Sequence, residues 1–204
     1  LEGFNLPDDE RRQSHFCVKE AVMPFGRFPG ADVVLGPEMK STGEVMGIAN
    51  NFPGAYAKTQ AAVDMELPKT GTCFLSVCDR DKRAILPLAR DLARMGFKLI
   101  CTSGTARALE SANIPCEVIG RVSDPEPNIA TLIGEGKIDL MINTPFGQET
   151  RSDGYVLRTL AVRQNLCYVT TLAGAQAFVS AIDNLRDDNL PIIALQDLDQ
   201  WEEK

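Results

Sequence analysis

The chain has 204 residues and a formal net charge of −7, and 44% of its residues are hydrophobic and 24% charged. These proportions are typical of a globular protein. No apolar run reaches the roughly 20 residues that a membrane-spanning helix needs, so a membrane protein is not expected. Residues 183–204 carry seven acids and two bases. Because the chain has no basic stripe, we also expect no nucleic-acid partner.

The cysteines and the single histidine argue against a metal site. No C-x-x-C pair is present and His15 is the only histidine, so a zinc site is difficult to assemble. Four cysteines fall in or beside predicted strands, where a free thiol behaves as a small hydrophobe: Cys73, Cys101, Cys116 and Cys167. We therefore expect reduced cysteines and a cytoplasmic or organellar location. No secretory signal is present and the first residue is Leu1, so we expect a piece of a longer chain.

Residues 1–70 show little regular pattern. The segment FCVKEAVMPF, residues 16–25, predicts a strand, and the glycines and prolines of residues 26–47 predict irregular structure. A helix is predicted from Phe52, with Pro53 at its first position. Since these elements can bury few apolar residues alone, we expect residues 1–70 to be the end of a larger domain and its linker. A complete domain with an acidic tail is predicted at residues 71–204.

From residue 72, short apolar runs alternate with segments of helical period. Predicted strands are Cys73–Val77, Lys98–Cys101, Cys116–Ile119, Asp139–Ile142 and Leu166–Val169. Predicted helices are 80–95, 105–112, 127–135, 151–164 and 173–186. Strands buried on both faces and joined by helices of this length predict an α/β fold with a doubly wound, parallel, five-stranded sheet.

Polar residues follow three of these strands. The segment Thr102–Thr105 joins a predicted strand to a predicted helix, and it offers hydroxyls and free N–H groups that suit an anion. Lys82 follows an earlier strand, and Asn143 with Thr144 follows a later one. Because carboxyl ends of parallel strands share one edge, these residues predict a ligand site there. Helix capping and turn formation by Thr102–Thr105 is the alternative.

Two groups of motifs resemble one family. The segment VKEAVMPFGRFPGADVVLGPEMKSTGEVMG, residues 18–47, resembles the end of the second ATP-grasp module in carbamoyl phosphate synthase large subunits. The motifs FLSVCDRDK, CTSGTA and EGKIDLMINTPFG, which follow in that family's order, resemble its terminal, methylglyoxal-synthase-like regulatory domain. The resemblance covers residues 16–186.

The resemblance implies part of an enzyme that makes carbamoyl phosphate from bicarbonate, ammonia (usually from glutamine) and ATP with Mg or Mn, for pyrimidine and arginine synthesis. It implies nucleotide effectors such as UMP and IMP, with ornithine as a further effector. The implied protein partners are the rest of the large subunit and the glutaminase small subunit, in an oligomer. We expect no catalytic residue, cofactor or metal within this chain, because the family's ATP ligands lie upstream of Leu1.

The resemblance also implies an effector pocket with these residues: Ser76, Lys82, Thr102, Ser103, Gly104, Thr105, Arg121, Asn143 and Thr144. Each has a structural alternative. Lys82 can be a solvated helix residue, Arg121 can pair with Asp124 or Glu117, and Asn143 can hold the turn before Pro145. Pro145 and Gly154 replace hydroxyl residues of some bacterial relatives, which bears on effector preference.

For ornithine, the corresponding positions are Glu20, Met23, Leu35, Tyr168 and Thr170. Glu20 supplies a carboxylate for an ammonium group. Val169 stands where some relatives have aspartate, which counts against ornithine binding.

Two further enzymes share the fold class. A methylglyoxal synthase needs carboxylates and a histidine beside the phosphate, and the chain offers only Asp124 and Glu126 in the right region. An inosinicase needs a lysine and histidine motif where this chain has Ser123–Pro125. A structural or oligomerisation module without a ligand is the remaining alternative.

Overall fold

The computed structural model describes residues 15–24, 39–144, 149–187, 190–194 and 196–197. Its amino-terminal part contains strands β1 (Phe16–Val22) and β2 (Gly43–Ala49), which pair antiparallel, and helix α1 (Phe52–Ala62). Helix α1 begins as the sequence predicts. The side chain of Asn51 accepts a hydrogen bond of 2.7 Å from the N–H of Gly54, and Pro53 lies in the first turn, where its missing N–H costs nothing.

Strand β2 was not predicted. Its glycines were interpreted as breakers, but a Cβ atom on Gly47 would collide with the carbonyl oxygen of Ala55 in α1. Gly47 therefore allows α1 to approach the strand closely, which is a common role of glycine within strands.

The remaining strands form one parallel sheet in the order β5-β4-β3-β6-β7. They are β3 (Thr72–Val77), β4 (Lys98–Cys101), β5 (Glu117–Val118), β6 (Leu140–Thr144) and β7 (Cys167–Val169). The helices are α2 (Ile85–Arg94), α3 (Ser103–Ser111), α4 (Ile129–Gly134), α5 (Glu149–Arg163) and α6 (Leu172–Asp187). This confirms the predicted five-stranded parallel α/β fold.

Neighbouring residues of the central strands β3 and β6 point to opposite layers of helices. Leu75 and Ile142 pack with residues of α2, α3 and α6, whereas Phe74 and Met141 pack with residues of α4 and α5. The sheet is therefore covered on both faces, as its continuous apolar strands require.

The predicted helix over residues 80–95 divides into two parts. A 3-10 turn covers Asp79–Asp81, and α2 begins only at Ile85. Proline is tolerated in the first turn of a helix, but deeper in a helix its ring collides with the carbonyl group four residues earlier. Pro87 is the third residue of α2, so the helix cannot extend back to residue 80 without this clash.

Helix α1 packs on helix α6. The rings of Tyr56 and Phe178 lie 5.8 Å apart, and Ala57 belongs to the same buried cluster as Phe178. The Lys58 ammonium also donates to the carbonyl oxygens of Ile48 and Pro191, both at 2.6 Å. The described part of residues 1–70 is thus fastened to the sheet domain.

We predict that Phe178→Ala lowers the free energy of unfolding by about 3 to 5 kcal/mol, because it opens a cavity between α1 and α6. Phe52→Ala is the matched control, since the Phe52 ring is 42% exposed and its removal leaves little cavity. Urea denaturation monitored by circular dichroism measures both. Equal losses in the two variants would contradict the proposed packing role of Phe178.

Candidate anion-binding site

A cavity of about 760 Å³ opens at the carboxyl edge of β3, β4 and β6. Eight of the nine predicted pocket residues line it: Ser76, Lys82, Thr102, Gly104, Thr105, Arg121, Asn143 and Thr144. Ser103 does not line the cavity, and its side chain is exposed. A separate cavity of about 480 Å³ lies beside Leu67, Asp139 and Asn165 and contains none of the predicted residues.

Buried hydroxyl groups hold the end of β3. The hydroxyl oxygen of Thr105 accepts a hydrogen bond of 3.1 Å from the N–H of Val77, and that of Thr144 accepts one of 3.1 Å from the N–H of Cys78. Both threonines are at least 94% buried. They therefore shape the cavity by fixing the chain that follows β3, besides lining its wall.

Thr102 occupies the position before α3 but does not cap the helix with its side chain. Its hydroxyl instead lies 3.2 Å from the hydroxyl of Ser76. The helix begins beside Lys82, since a Cβ atom on Gly104 would lie 3.2 Å from the Lys82 ammonium nitrogen. A cation and the N-terminus of a nine-residue helix thus meet at the cavity, an arrangement that favours an anion.

The Lys82 ammonium also has an acidic partner. Its nitrogen lies 2.6 Å from a carboxylate oxygen of Asp79, whose side chain is 94% exposed. The hydrogen bond and charge of Lys82 lower the pKa of Asp79, so this carboxylate stays ionised at neutral pH. An anion entering the cavity would compete with Asp79 for the ammonium group.

Arg121 lies on the exposed wall of the cavity. The predicted alternative was an ion pair with Asp124, but the bond of 2.7 Å to that carboxylate is donated by the backbone N–H of Arg121. Glu117, the other predicted partner, pairs with Lys98 at 2.8 Å. The loop is also tied to α5, because the Ser123 hydroxyl donates to Asp153 at 3.0 Å.

Asn143 is held at the end of β6. Its amide nitrogen donates to the carbonyl oxygen of Ser76 at 3.3 Å. Its amide oxygen is buried and has no hydrogen-bond partner among the described residues. Pro145, which the turn alternative invokes, lies outside the described residues.

The cavity wall contains residues that the sequence analysis did not assign to it. Cys78, Asp79 and Arg80 directly follow β3, and Ser123 follows Arg121. Their position just after a predicted strand was the sequence signal that could have identified them as cavity residues. The Cys78 thiol donates to a carboxylate oxygen of Asp81 at 3.1 Å, so it is held against the 3-10 turn.

Burial raises the pKa of the Cys167 thiol to about 12, and burial also raises the pKa values of Cys73 and Cys101. These three cysteines are buried core residues, as predicted, whereas Cys116 is only half-buried. The described residues contain no group of three or more acidic, cysteine or histidine side chains placed to hold a metal ion. Within the same residues, no helix is long and apolar enough to cross a membrane.

The structure does not place all the positions implied for ornithine on one face: Glu20 bonds α1, whereas the Tyr168 side chain packs in the opposite layer, with the cluster of α4 and α5. Glu20 in β1 accepts a hydrogen bond from the Gln60 amide in α1 at 2.5 Å. Burial raises the pKa of Glu20, and the hydrogen bonds from Thr59 and Gln60 partly offset this rise. Burial and the negative charge of Glu20 raise the pKa of Tyr56, whose ring packs on Phe178 of α6. Thr170 directly follows β7, and Leu35 lies outside the described residues.

We predict that Thr105→Val lowers the free energy of unfolding by about 1 to 3 kcal/mol, because it leaves the buried N–H of Val77 without an acceptor. Thr102→Val is the matched control and should cost less, since among the described residues the Thr102 hydroxyl bonds another hydroxyl and no backbone N–H. Urea denaturation measures the difference. If the two variants lose the same stability, Thr105 does not hold the end of β3.

Comparison with known proteins supports the resemblance inferred from the sequence. Residues 84–170 match the MGS-like domain family. The carbamoyl phosphate synthase large chain, C-terminal section, of Methanopyrus kandleri is 51% identical over 197 residues, which cover 96% of this chain and 36% of that protein. The corresponding section from Methanocaldococcus jannaschii is 44% identical, with 92% of this chain and 31% of that protein covered.

The carbamoyl phosphate synthase large chain of Myxococcus xanthus is 45% identical over 183 residues, covering 90% of this chain and 17% of that protein. The chain thus spans between 17% and 36% of the length of these relatives. It contains an MGS-like domain and corresponds, over nearly its whole length, to the C-terminal region of carbamoyl phosphate synthase large chains.

Proposed function

We propose that this chain is an allosteric regulatory region that binds the phosphate group of a nucleotide effector, such as UMP or IMP, at the carboxyl edge of its sheet. The observation that carries the proposal is the meeting of the Lys82 ammonium with the N-terminus of α3, whose Thr102 gives no side-chain cap. Phosphate oxygens would accept from the first N–H groups of α3 and from Lys82. Arg121, on the exposed wall, would add a second cation.

The proposal extends to the larger protein that the relatives represent. There the effector would control ATP-dependent synthesis of carbamoyl phosphate from bicarbonate and glutamine-derived ammonia. Residues 1–70 would be the end of an ATP-grasp module and its linker. Glu20, Tyr168 and Thr170 would contribute to an ornithine site that upstream residues complete.

A structural module without a ligand is the second candidate. The pairing of Lys82 with Asp79 favours it, because the principal cation of the cavity already has a counter-charge. That ion pair is solvent-exposed on the Asp79 side, and exposed ion pairs contribute little free energy. A phosphate dianion that also accepts from helix N–H groups would therefore displace the carboxylate.

One of the two acids named for the lyase alternative already has a structural role. The Asp124 carboxylate accepts a hydrogen bond from the backbone N–H of Arg121. The side-chain amide of Asn128 donates to the carbonyl oxygen of Asp124 at 3.0 Å and so holds the same loop. Asp124 thus has a structural part in shaping the loop.

We predict that Lys82→Ala weakens binding of UMP to the full 204-residue chain by about 10- to 100-fold, since a charge-assisted hydrogen bond contributes about 1.5 to 3 kcal/mol. Isothermal titration calorimetry with UMP and IMP measures this. Lys137→Ala is the matched control, because Lys137 is also paired with an acid, Glu135, and does not line the cavity. If Lys82→Ala binds every nucleotide as tightly as the parent does, the nucleotide does not bind at Lys82.

We predict that Asp79→Asn strengthens UMP binding by about 2- to 10-fold, because it removes the carboxylate that competes for the Lys82 ammonium. The same calorimetric titration measures the gain. Asp91→Asn is the control, since Asp91 pairs with Arg94 on the surface of α2. Weaker binding in Asp79→Asn would show that Asp79 positions Lys82 for the ligand instead of competing with it.

A further inference from the structure

A buried arginine lies behind the wall of the cavity. Arg158 in α5 is only 2% exposed, although charged side chains are rarely buried to this extent. Arg158 lies one helical turn after Gly154. Gly154 and Leu157 line the cavity. The sequence analysis assigned no role to Arg158.

Gly154 leaves the space in which the Arg158 guanidinium lies. A Cβ atom on Gly154 would be 2.8 Å from the Nη1 atom of Arg158 and 3.6 Å from the amide oxygen of Asn143. Because 2.8 Å is too close for a carbon and a nitrogen that are not bonded, any side chain at position 154 would displace the guanidinium. A glycine inside a helix lowers stability relative to alanine. The need to leave room for the Arg158 guanidinium explains why a glycine stands at position 154 despite this cost.

Asn143 connects this space to the cavity floor. Its amide nitrogen donates to Ser76, and its buried amide oxygen has no hydrogen-bond partner among the described residues. That oxygen faces the same space as the guanidinium. Ser76 in turn contacts Thr102 at the start of α3. Asn143 and Ser76 therefore lie between the space that holds Arg158 and the helix N-terminus where the phosphate is proposed to bind, although no hydrogen bond joins the Asn143 amide oxygen to the guanidinium.

We propose that Arg158 is a positioning residue for the anionic group of the effector, an inference that rests on the proposed function. Its positive charge attracts the Asn143 amide oxygen and so keeps the amide nitrogen directed at Ser76. A buried charge is also screened less than a surface charge, so Arg158 adds positive potential behind the phosphate without contacting it. The site therefore selects phosphate monoesters over neutral nucleosides.

The test compares UMP, inorganic phosphate and uridine as probes of the full chain. Calorimetry measures UMP, and NMR titration measures the weaker binding of phosphate and uridine. In Arg158→Gln, affinity for UMP and for phosphate should fall by about 5- to 20-fold, whereas affinity for uridine should stay unchanged. Arg158→Lys should recover most of the loss. Arg163→Gln, which makes the same change at the exposed end of α5, should bind UMP like the parent.

Gly154→Ala provides a second variant that keeps the arginine. It should weaken UMP binding by about 3- to 10-fold by displacing the guanidinium, and it should have no further effect in the Arg158→Gln background. If Arg158→Gln does not fold, as thermal unfolding would reveal, Gly154→Ala and Arg158→Lys decide the question.

The outcomes separate the two proposals. If the parent binds neither UMP nor phosphate, the proposed function fails and this inference fails with it. If the parent binds UMP and both Arg158→Gln and Gly154→Ala bind it equally well, only the role of Arg158 is overturned. Equal loss of UMP and uridine binding would also overturn it, because such a loss indicates a general structural defect.

Discussion

The cavity depends on how the central strand of the sheet ends. Strand β3 lies between β4 and β6, and the N–H groups of the two residues at its end, Val77 and Cys78, are bonded by the hydroxyls of Thr105 and Thr144. Buried N–H groups need acceptors, and these threonines supply them from the elements on either side. The chain after β3 therefore diverges from the sheet at a fixed place, which brings Lys82 beside the start of α3.

The cavity contains charges of both signs, and this favours selective binding. Arg80, Lys82 and Arg121 supply positive charge at the wall, while Asp79 and Asp153 supply negative charge. An anion must therefore offer more than one negative oxygen to replace Asp79. A phosphate group meets this condition because it also accepts from helix N–H groups, whereas a single carboxylate gains little over the one already present.

Much of the sheet was predictable from the sequence because the central strands β3, β4 and β6 each contain a short apolar run, and polar residues at the strand ends located most of the cavity. Other features depend on contacts distant in sequence. Gly47 was interpreted as a breaker, although it allows the approach of α1 to β2. Arg158 carried no signal, since charged residues in a helix are normally solvated. Gly154, one helical turn earlier, leaves room for its guanidinium, and only the folded chain brings Asn143 of β6 to the same space.

The contact between α1 and α6 gives the amino-terminal residues a mechanical connection to the sheet. Ala57 and Leu67 belong to the same buried cluster as Leu75 and Phe178, and close-packed interiors transmit displacement because they do not deform continuously. Glu20 in β1 bonds Gln60 of α1, and burial raises the pKa of its carboxyl group above the ordinary value of 4.5. Its ionised form is therefore less favourable in the folded chain than in the unfolded one, so this group's contribution to stability falls as pH rises above that value.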